Sequence, residues 1–191
     1  MKICLLLEKH INKYRNNISI INMSGKTTEQ IKVNTLYKDI FDEVSVQLGL
    51  KEAMKQFHAI QSTYIDNLDK FFHNKCAKEY EWIENNSVSK TLHLPKENID
   101  EKTYKKHKEE LKECIDNNDK GYIDSLEQFK KDYKTFTKDI NHQINECCQL
   151  KEEKEIKECI RDKYTKGATN LIGLFNKYEK QYNELNKKIL L

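Results

Sequence analysis

The apolar residues of this chain recur every third or fourth position over long stretches, and this spacing constrains the fold more than any other feature of the sequence. The pattern runs from Leu50 to Tyr80 and again from Tyr122 to Cys147, and neither stretch contains glycine or proline. Such steps place side chains on one face of an α-helix, whereas a half-buried strand would alternate every second residue. The single proline, Pro95, falls in the polar stretch 85–98, which predicts a loop. We therefore predict an all-α fold of extended amphipathic helices.

Turn-forming residues divide these helices and predict where the chain reverses. Gly49 separates a first helix, which a capping box at Thr27 and Gln30 would open, from the long helix that follows. The stretches 116–121 and 165–167 both end in glycine and predict two further breaks. Short connections between amphipathic helices favour antiparallel helical hairpins. The sequence therefore divides into a basic amphipathic segment at 1–26, N-terminal helices ending in a loop at 27–96, and C-terminal helical hairpins at 97–191.

The tetrapeptide Lys-Glu-Cys-Ile occurs at 112–115 and again at 157–160. The same shift of 45 residues also superposes Leu126 on Leu171. Self-similarity at this period is typical of stacked helix-turn-helix pairs. Lysine- and glutamate-rich amphipathic helices also resemble each other without common origin, because charges fill the outer face and apolar residues the inner one. Two duplicated helix-turn-helix units in the C-terminal half and a chance likeness both stay open.

The charged composition argues against several classes of function. Charged residues make up 34% of the chain, yet the formal net charge is only +3, and Arg15 and Arg161 are its only arginines. Because phosphate recognition recruits arginine forks, we expect no nucleic-acid partner. No apolar run approaches the ~20 residues of a membrane span. Glycine-rich phosphate loops, zinc-protease motifs and nucleophile elbows do not occur in the sequence, so we expect neither enzymatic activity nor a cofactor or metal.

Cysteines are the residues with the most distinctive chemistry in this sequence. Those with candidate roles in disulfides or in helix packing are Cys76, Cys114, Cys147, Cys148 and Cys159. The spacing of the last pair resembles one half of the twin-cysteine helical hairpins of mitochondrial intermembrane-space proteins, and this chain lacks the other half. The two cysteines of the repeated tetrapeptide are expected to face inward near the ends of short helices.

Helix geometry limits which cysteines can pair. If the helix after the turn at 116–121 is continuous, Cys147 lies ~39 Å from that turn, which excludes a bridge to Cys114. On one straight helix Cys148 and Cys159 would lie ~16 Å apart, so their pairing would need a sharp bend near Leu150. We therefore expect unpaired cysteines that fill the apolar stripes as small hydrophobic residues.

Two aromatic residues at the end of the first long helical pattern are candidate partner anchors. Tyr80 and Trp82 directly precede the predicted loop. Core packing is the ordinary role of aromatic residues in an apolar stripe, whereas tryptophan and tyrosine beside a loop are also favoured in interface pockets. The sequence leaves both roles open.

The N-terminal segment and the cysteines together suggest a location. Residues 1–26 are basic and amphipathic, as in a mitochondrial address, and an ordinary first helix would show the same pattern. A segment of this kind can also contact a membrane surface. These features favour the mitochondrial intermembrane space or the periphery of the inner membrane.

We expect a non-catalytic structural or accessory subunit of a large multiprotein assembly, with other protein subunits as partners. A mitochondrial respiratory-chain or ATP-synthase complex is the setting that the N-terminal segment favours. The alternative is a helical scaffold of a cytoskeletal or ciliary, microtubule-associated assembly, located in the cytoplasm or cilium. In that reducing environment the cysteines would be free thiols, so the state of the cysteines separates the two hypotheses.

Overall fold

The computed structural model describes residues 28–88 and 94–191, with side chains from residue 38 onward. The segment predicted at 1–26 and the capping residue Thr27 lie outside these residues. The described part of the chain forms six helices. They are α1 (Thr28–Gln47), α2 (Leu50–Lys75), α3 (Ala77–Asn85), α4 (Glu101–Asn118), α5 (Tyr122–Cys147) and α6 (Glu153–Ile189). Over the described ranges there is no strand, only one isolated bridge between Ser87 and Pro95, and the all-α prediction is confirmed.

Glycines produce two of the predicted breaks. Gly49 between α1 and α2 has φ of +64°, and Gly121 between α4 and α5 has φ of +83°. The left-handed conformation is open to glycine without a Cβ penalty, which is why it commonly follows the last turn of a helix. At the other end of α4, the Asp100 side chain accepts a hydrogen bond from the Thr103 backbone N–H at 2.8 Å and caps the helix.

The break predicted at 165–167 is wrong, because α6 runs through it without interruption. Gly167 has an ordinary helical conformation and is buried. Its backbone lies so close to α5 that a Cβ there would approach Ile140 Cδ1 to 2.5 Å. The glycine therefore lies at a close contact between helices and not at a turn. The second Lys-Glu-Cys-Ile copy consequently lies near the start of a long helix, whereas the first lies near the end of α4.

The structure also contains a break that the spacing of apolar residues did not predict. Cys76 interrupts the helical pattern between α2 and α3, with φ of −117° and ψ of 35°. Its N–H still bonds the Phe72 carbonyl, and its own carbonyl accepts from the Tyr80 N–H, so the chain bends without leaving the helical path for more than one residue. Apolar residues on both sides of the break stay on the buried face, which is why the spacing continues through it.

The chain divides into two compact units, each described here by itself. In the described residues the α3/α4 unit comprises Ile65–Tyr122 with Ile189–Leu191, and the α5/α6 unit comprises 28–64 with Ile123–Lys188. The core of the α3/α4 unit consists of Leu68, Phe72, Cys76, Tyr80, Ile83, Tyr104, Leu111, Ile115, Tyr122 and Ile189. The core of the α5/α6 unit includes Val44, Phe57, Tyr64, Phe129, Ile144, Ile160, Tyr164, Phe175, Tyr178 and Tyr182.

Each unit contains an antiparallel hairpin. As residue numbers increase along one helix, the residues that they contact on the other helix decrease in number. In the α3/α4 unit, Trp82 stacks on His107, and Ser87 bonds Tyr104. In the α5/α6 unit, Gly167 of α6 lies beside Ile140 of α5. Ile140 precedes residue 147, the last of α5, so this contact lies away from the turn that connects the two helices. The predicted antiparallel hairpins therefore agree with the helix contacts.

Aromatic rings form the centre of the α5/α6 unit. Phe57 of α2 lies 4.7 Å from Phe129 of α5 and 4.8 Å from Phe175 of α6 between ring centroids. Further along the same two helices, Tyr64 of α2 stacks on Tyr182 of α6, with ring centroids 4.8 Å apart. Because residue numbers increase in the same direction along α2 and α6 between these two contacts, the first part of α2 runs parallel to α6.

Helix α1 continues the same arrangement along the earlier part of α6. Phe41 packs on Tyr164 with centroids 4.7 Å apart, and the Tyr164 hydroxyl lies 3.4 Å from Ser45 Oγ. Arg161 binds the Glu43 carboxylate through both terminal nitrogens, at 2.6 and 2.9 Å. Helix α1 and the start of α2 therefore contact successive stretches of one long helix.

We predict that Gly167→Ala destabilises the chain by about 1–3 kcal/mol relative to Gly173→Ala, because its methyl group would overlap the Ile140 side chain. At Gly173, also within α6, an added Cβ would meet no atom within 4 Å, and alanine should raise stability by roughly 0.5–1 kcal/mol. Urea unfolding followed by circular dichroism measures both. Adding Ile140→Val, which removes the overlapping Cδ1, should restore part of the loss, and equal stabilisation by both alanines would show that the close approach has no energetic effect.

Candidate functional site

The first pair of candidate cysteines forms a disulfide at the bend between α2 and α3. Cys76 is fully buried and is bonded to the half-buried Cys114 of α4, with their Cα atoms 6.0 Å apart. The prediction that these two residues are unpaired packing cysteines is therefore wrong. Sequence reasoning treated α2 and α3 as one helix and so placed no turn of the chain near Cys76. The folding of α3 against α4 brings the two cysteines together.

The predicted anchor residues Tyr80 and Trp82 both lie on the short helix α3, and histidines cover them from two sides. Tyr80 is 8% exposed and stacks on His73 of α2, with ring centroids 3.8 Å apart. Trp82 is half-buried and stacks on His107 of α4 at 3.6 Å. The Tyr80 ring is therefore largely unavailable to a partner, whereas part of Trp82 remains accessible. A role for Trp82 as an anchor stays a prediction.

Polar side chains hold the histidines and the end of α3. His73 lies 3.4 Å from the Asp69 carboxylate and 3.7 Å from that of Glu84, and the two contacts use different ring nitrogens. Below the stack, Ser87 Oγ donates to the Ile83 carbonyl and lies 2.6 Å from the Tyr104 hydroxyl, so the tyrosine is the donor. These bonds fix the orientation of the aromatic rings on both sides of α3.

A second disulfide closes the α5/α6 hairpin. Cys147, the last residue of α5, is bonded to Cys159 near the start of α6, with Cα atoms 5.6 Å apart. The chain reverses at 148–152, near Leu150, where the sequence required a bend for a bridge to Cys159. The prediction that Cys147 and Cys159 are unpaired is wrong. Cys159 pairs with Cys147, and the neighbouring Cys148 is a free thiol.

Exposure distinguishes the three sulfur atoms at this end of the hairpin. Cys147 is 1% exposed, Cys159 is half-buried, and Cys148 is an exposed free thiol. Partial burial raises the pKa of the Cys148 thiol above its usual value. At neutral pH this cysteine is therefore predominantly the thiol and not the reactive thiolate.

A cluster of polar side chains around the Asp132 carboxylate connects α5 and α6 in the middle of the hairpin. The Tyr178 hydroxyl donates to Asp132 Oδ2 at 2.8 Å, and Lys177 Nζ lies 3.1 Å from the same oxygen. Gln128 donates to the other oxygen at 2.7 Å. The tyrosine hydrogen bond is the main reason that the pKa of Asp132 is lowered, while burial, followed by the nearby carboxylate, raises the pKa of Tyr178.

The described residues contain no group of three or more histidine, cysteine or acidic side chains arranged to hold a metal ion. In the same part of the chain, no helix combines the length and the apolar character needed to cross a membrane. Comparisons with known protein families, curated proteins and solved structures found no match for this chain. Its function must therefore be inferred from its own residues and their contacts.

We predict that the two disulfides stabilise the fold by different amounts. Cross-link entropy gives about 4 kcal/mol for Cys76–Cys114 and about 3 kcal/mol for Cys147–Cys159, because the first closes a loop of 38 residues and the second one of 12. Chemical denaturation of the two paired cysteine-to-alanine variants measures these losses. Cys148→Ala is the matched control and should change stability by less than about 0.5 kcal/mol, since its side chain is exposed. Paired variants as stable as that control would show that the bridges do not brace the fold.

Asp132→Asn should destabilise the chain by about 1–3 kcal/mol at neutral pH, because it replaces the charged acceptor of a largely buried tyrosine hydroxyl. The folded-state pKa of Asp132 lies below the ordinary value of about 3.9, so its contribution is present above that pH and is lost as the pH falls through the folded-state pKa. Urea titrations at several pH values test both expectations. Asp139→Asn, an exposed residue on the same helix, is the control. An identical acid dependence in the wild type and in Asp132→Asn would contradict the assignment.

Proposed function

We propose that this chain is a non-catalytic structural or accessory subunit of a multiprotein assembly in an oxidising compartment. The observation that carries the proposal is the presence of one interhelical disulfide in each compact unit. Disulfides of this kind persist where the surroundings are oxidising and are rare where glutathione and thioredoxin keep thiols reduced. Each bridge joins one buried cysteine, Cys76 or Cys147, to a half-buried one on another helix.

The contacts of the polar side chains support a structural role over a catalytic one. Asp132 accepts hydrogen bonds from Gln128 of its own helix and from Tyr178 of α6, and His73 contacts two carboxylates and a tyrosine ring. His107 is stacked on Trp82 and lies 2.7 Å from Glu110. Side chains of the types that commonly perform acid–base chemistry are thus used here to join helices.

The two disulfides also favour one of the two settings that the sequence suggested. A cytoskeletal or ciliary scaffold would hold its cysteines as free thiols, whereas the mitochondrial intermembrane space supports disulfides. We therefore propose the intermembrane space or the periphery of the inner membrane, within a respiratory-chain or ATP-synthase complex. Secreted proteins share the same redox conditions, so location has to be measured together with assembly.

The test is to express a tagged chain in its native cell, block thiols at lysis, and determine location and native size together. Protease protection of isolated mitochondria should place the chain behind the outer membrane, and native gels should place it in a complex far larger than its 22.8 kDa. A non-reducing gel should show the bridged form. Secretion of the chain, or a monomer inside mitochondria, would overturn the proposed setting or the proposed assembly, respectively.

Trp82→Ala should reduce the share of the chain found in the assembly if the exposed part of the ring is an anchor, because interface tryptophans commonly contribute about 2 kcal/mol or more. Val46→Ala is the matched control, since Val46 is an apolar residue that is 70% exposed. Thermal melts of both purified variants identify losses that arise from unfolding. An unchanged share for a folded Trp82→Ala would show that this residue is not an anchor.

A further inference from the structure

Three cysteines lie near the turn of the α5/α6 hairpin: Cys147 and Cys148 at the end of α5, and Cys159 near the start of α6. Cys148 directly follows Cys147, so its Cα lies at most one step of about 3.8 Å farther from Cys159 than the Cα of its neighbour does. The bonded pair has a Cα separation of 5.6 Å, and disulfides form up to a separation of about 7 Å. A small movement of the chain at Cys148 is therefore enough to bring its thiol within bonding distance of Cys159.

We propose that Cys148 exchanges with this disulfide, so that the hairpin has two alternative bridges, Cys147–Cys159 and Cys148–Cys159. Cys148 loses its proton to solvent, and its thiolate attacks Cys159 Sγ. The bond between Cys147 and Cys159 breaks, and Cys147 leaves as a thiolate that takes up a proton. One disulfide and one thiol are present before and after the step, so no oxidant or reductant is consumed.

The exposure of the sulfur atoms determines which one is attacked. Cys147 is 1% exposed and is shielded from an incoming thiolate, whereas Cys159 is half-buried and retains an accessible side. Attack on Cys147 would also join two adjacent residues, which is a strained arrangement for the backbone. The accessible sulfur is thus also the one whose attack gives a productive bridge.

The local backbone makes the required movement inexpensive. The Cys148 N–H bonds the Ile144 carbonyl at 3.2 Å, and beyond it the helix ends in two short-range bonds, from the Gln149 N–H to the Glu146 carbonyl and from the Leu150 N–H to the Cys147 carbonyl. Residues 148–152 are all exposed, so unwinding this turn uncovers no core side chain. Cys147, once released, is a small apolar residue that can remain in its buried position as a thiol.

The exchange would control whether the hairpin presents a reactive thiol. With Cys147 bridged, the remaining thiol is Cys148, which is exposed and available to a partner's disulfide or thiol. With Cys148 bridged, the remaining thiol is Cys147, which is buried. The element therefore changes surface thiol reactivity without changing the number of disulfides, and it requires no partner protein to do so.

The experiment uses the full chain with Cys4→Ser, because Cys4 lies outside the described residues and would add a thiol. The protein is held without added thiol at about pH 8.5, where a minor share of the Cys148 thiol is ionised because burial raises its pKa above the usual value. Samples are quenched in acid, cyanylated there and cleaved in base, which cuts on the amino side of a free cysteine. We expect the cut before Cys148 at the start, a cut before Cys147 that grows with time, and a matching loss of fast-reacting thiol towards Ellman's reagent.

Two variants complete the test. Adding Cys148→Ser should abolish cyanylation cleavage, because the chain then has no thiol with which to exchange. Adding Cys147→Ser and refolding with oxidised and reduced glutathione should give the Cys148–Cys159 bridge. A cut that stays before Cys148 at all times in the parent overturns the proposal whatever the variants do, and so does a folded Cys147→Ser chain that keeps two reactive thiols.

Discussion

The α5/α6 unit depends on the stacking of aromatic rings along α6. Phe175, Tyr178 and Tyr182 are each at most 3% exposed, and the first of them packs against Phe57 from α2. An aromatic side chain buries roughly 150–250 Å², so a helix needs few of them per turn to form a stable contact. This explains how a chain with only 37% hydrophobic and 34% charged residues builds a dense interior. The remaining positions of each helix are then left for charge.

Disulfides supplement the packing of side chains in both units. Helix α3 has only nine residues, fewer than an isolated helix needs to be stable in water. The Cys76–Cys114 bridge fixes its start, the Ser87–Tyr104 bond fixes its end, and histidine rings stack on the aromatic residues between them. In the α5/α6 hairpin the bridge instead joins the last residue of α5 to Cys159 near the start of α6, across an exposed turn. Each unit thus contains one covalent cross-link in addition to its packed side chains.

Spacing and turn chemistry predicted most of the helices, but neither the break at Cys76 nor the contacts between helices. The helices and the turns at Gly49 and Gly121 follow from local geometry, which the sequence states directly. Gly167 follows polar residues, as a turn glycine would, and yet it lies inside α6. Its role depends on the close contact with Ile140 on another helix. The cysteine pairs could not be predicted for the same reason. Cys76 faces Cys114 only once α3 has folded back on α4, and a one-residue difference in the end of α5 decides between Cys147 and Cys148.

The position of Cys148, one residue beyond the bridged Cys147, also determines where a reactive side chain lies at the surface. Asp132, His73 and Tyr178 are held by hydrogen bonds, ion pairs or stacking between helices, and using them for another purpose would weaken the fold. Cys148 has no such function, since its side chain is exposed and its sulfur is unbonded. A residue that contributes little to stability can change its bonding without unfolding the protein. The turn between α5 and α6 is therefore where a side chain can change its bonding partner with the least disturbance to the packing of the α5/α6 unit.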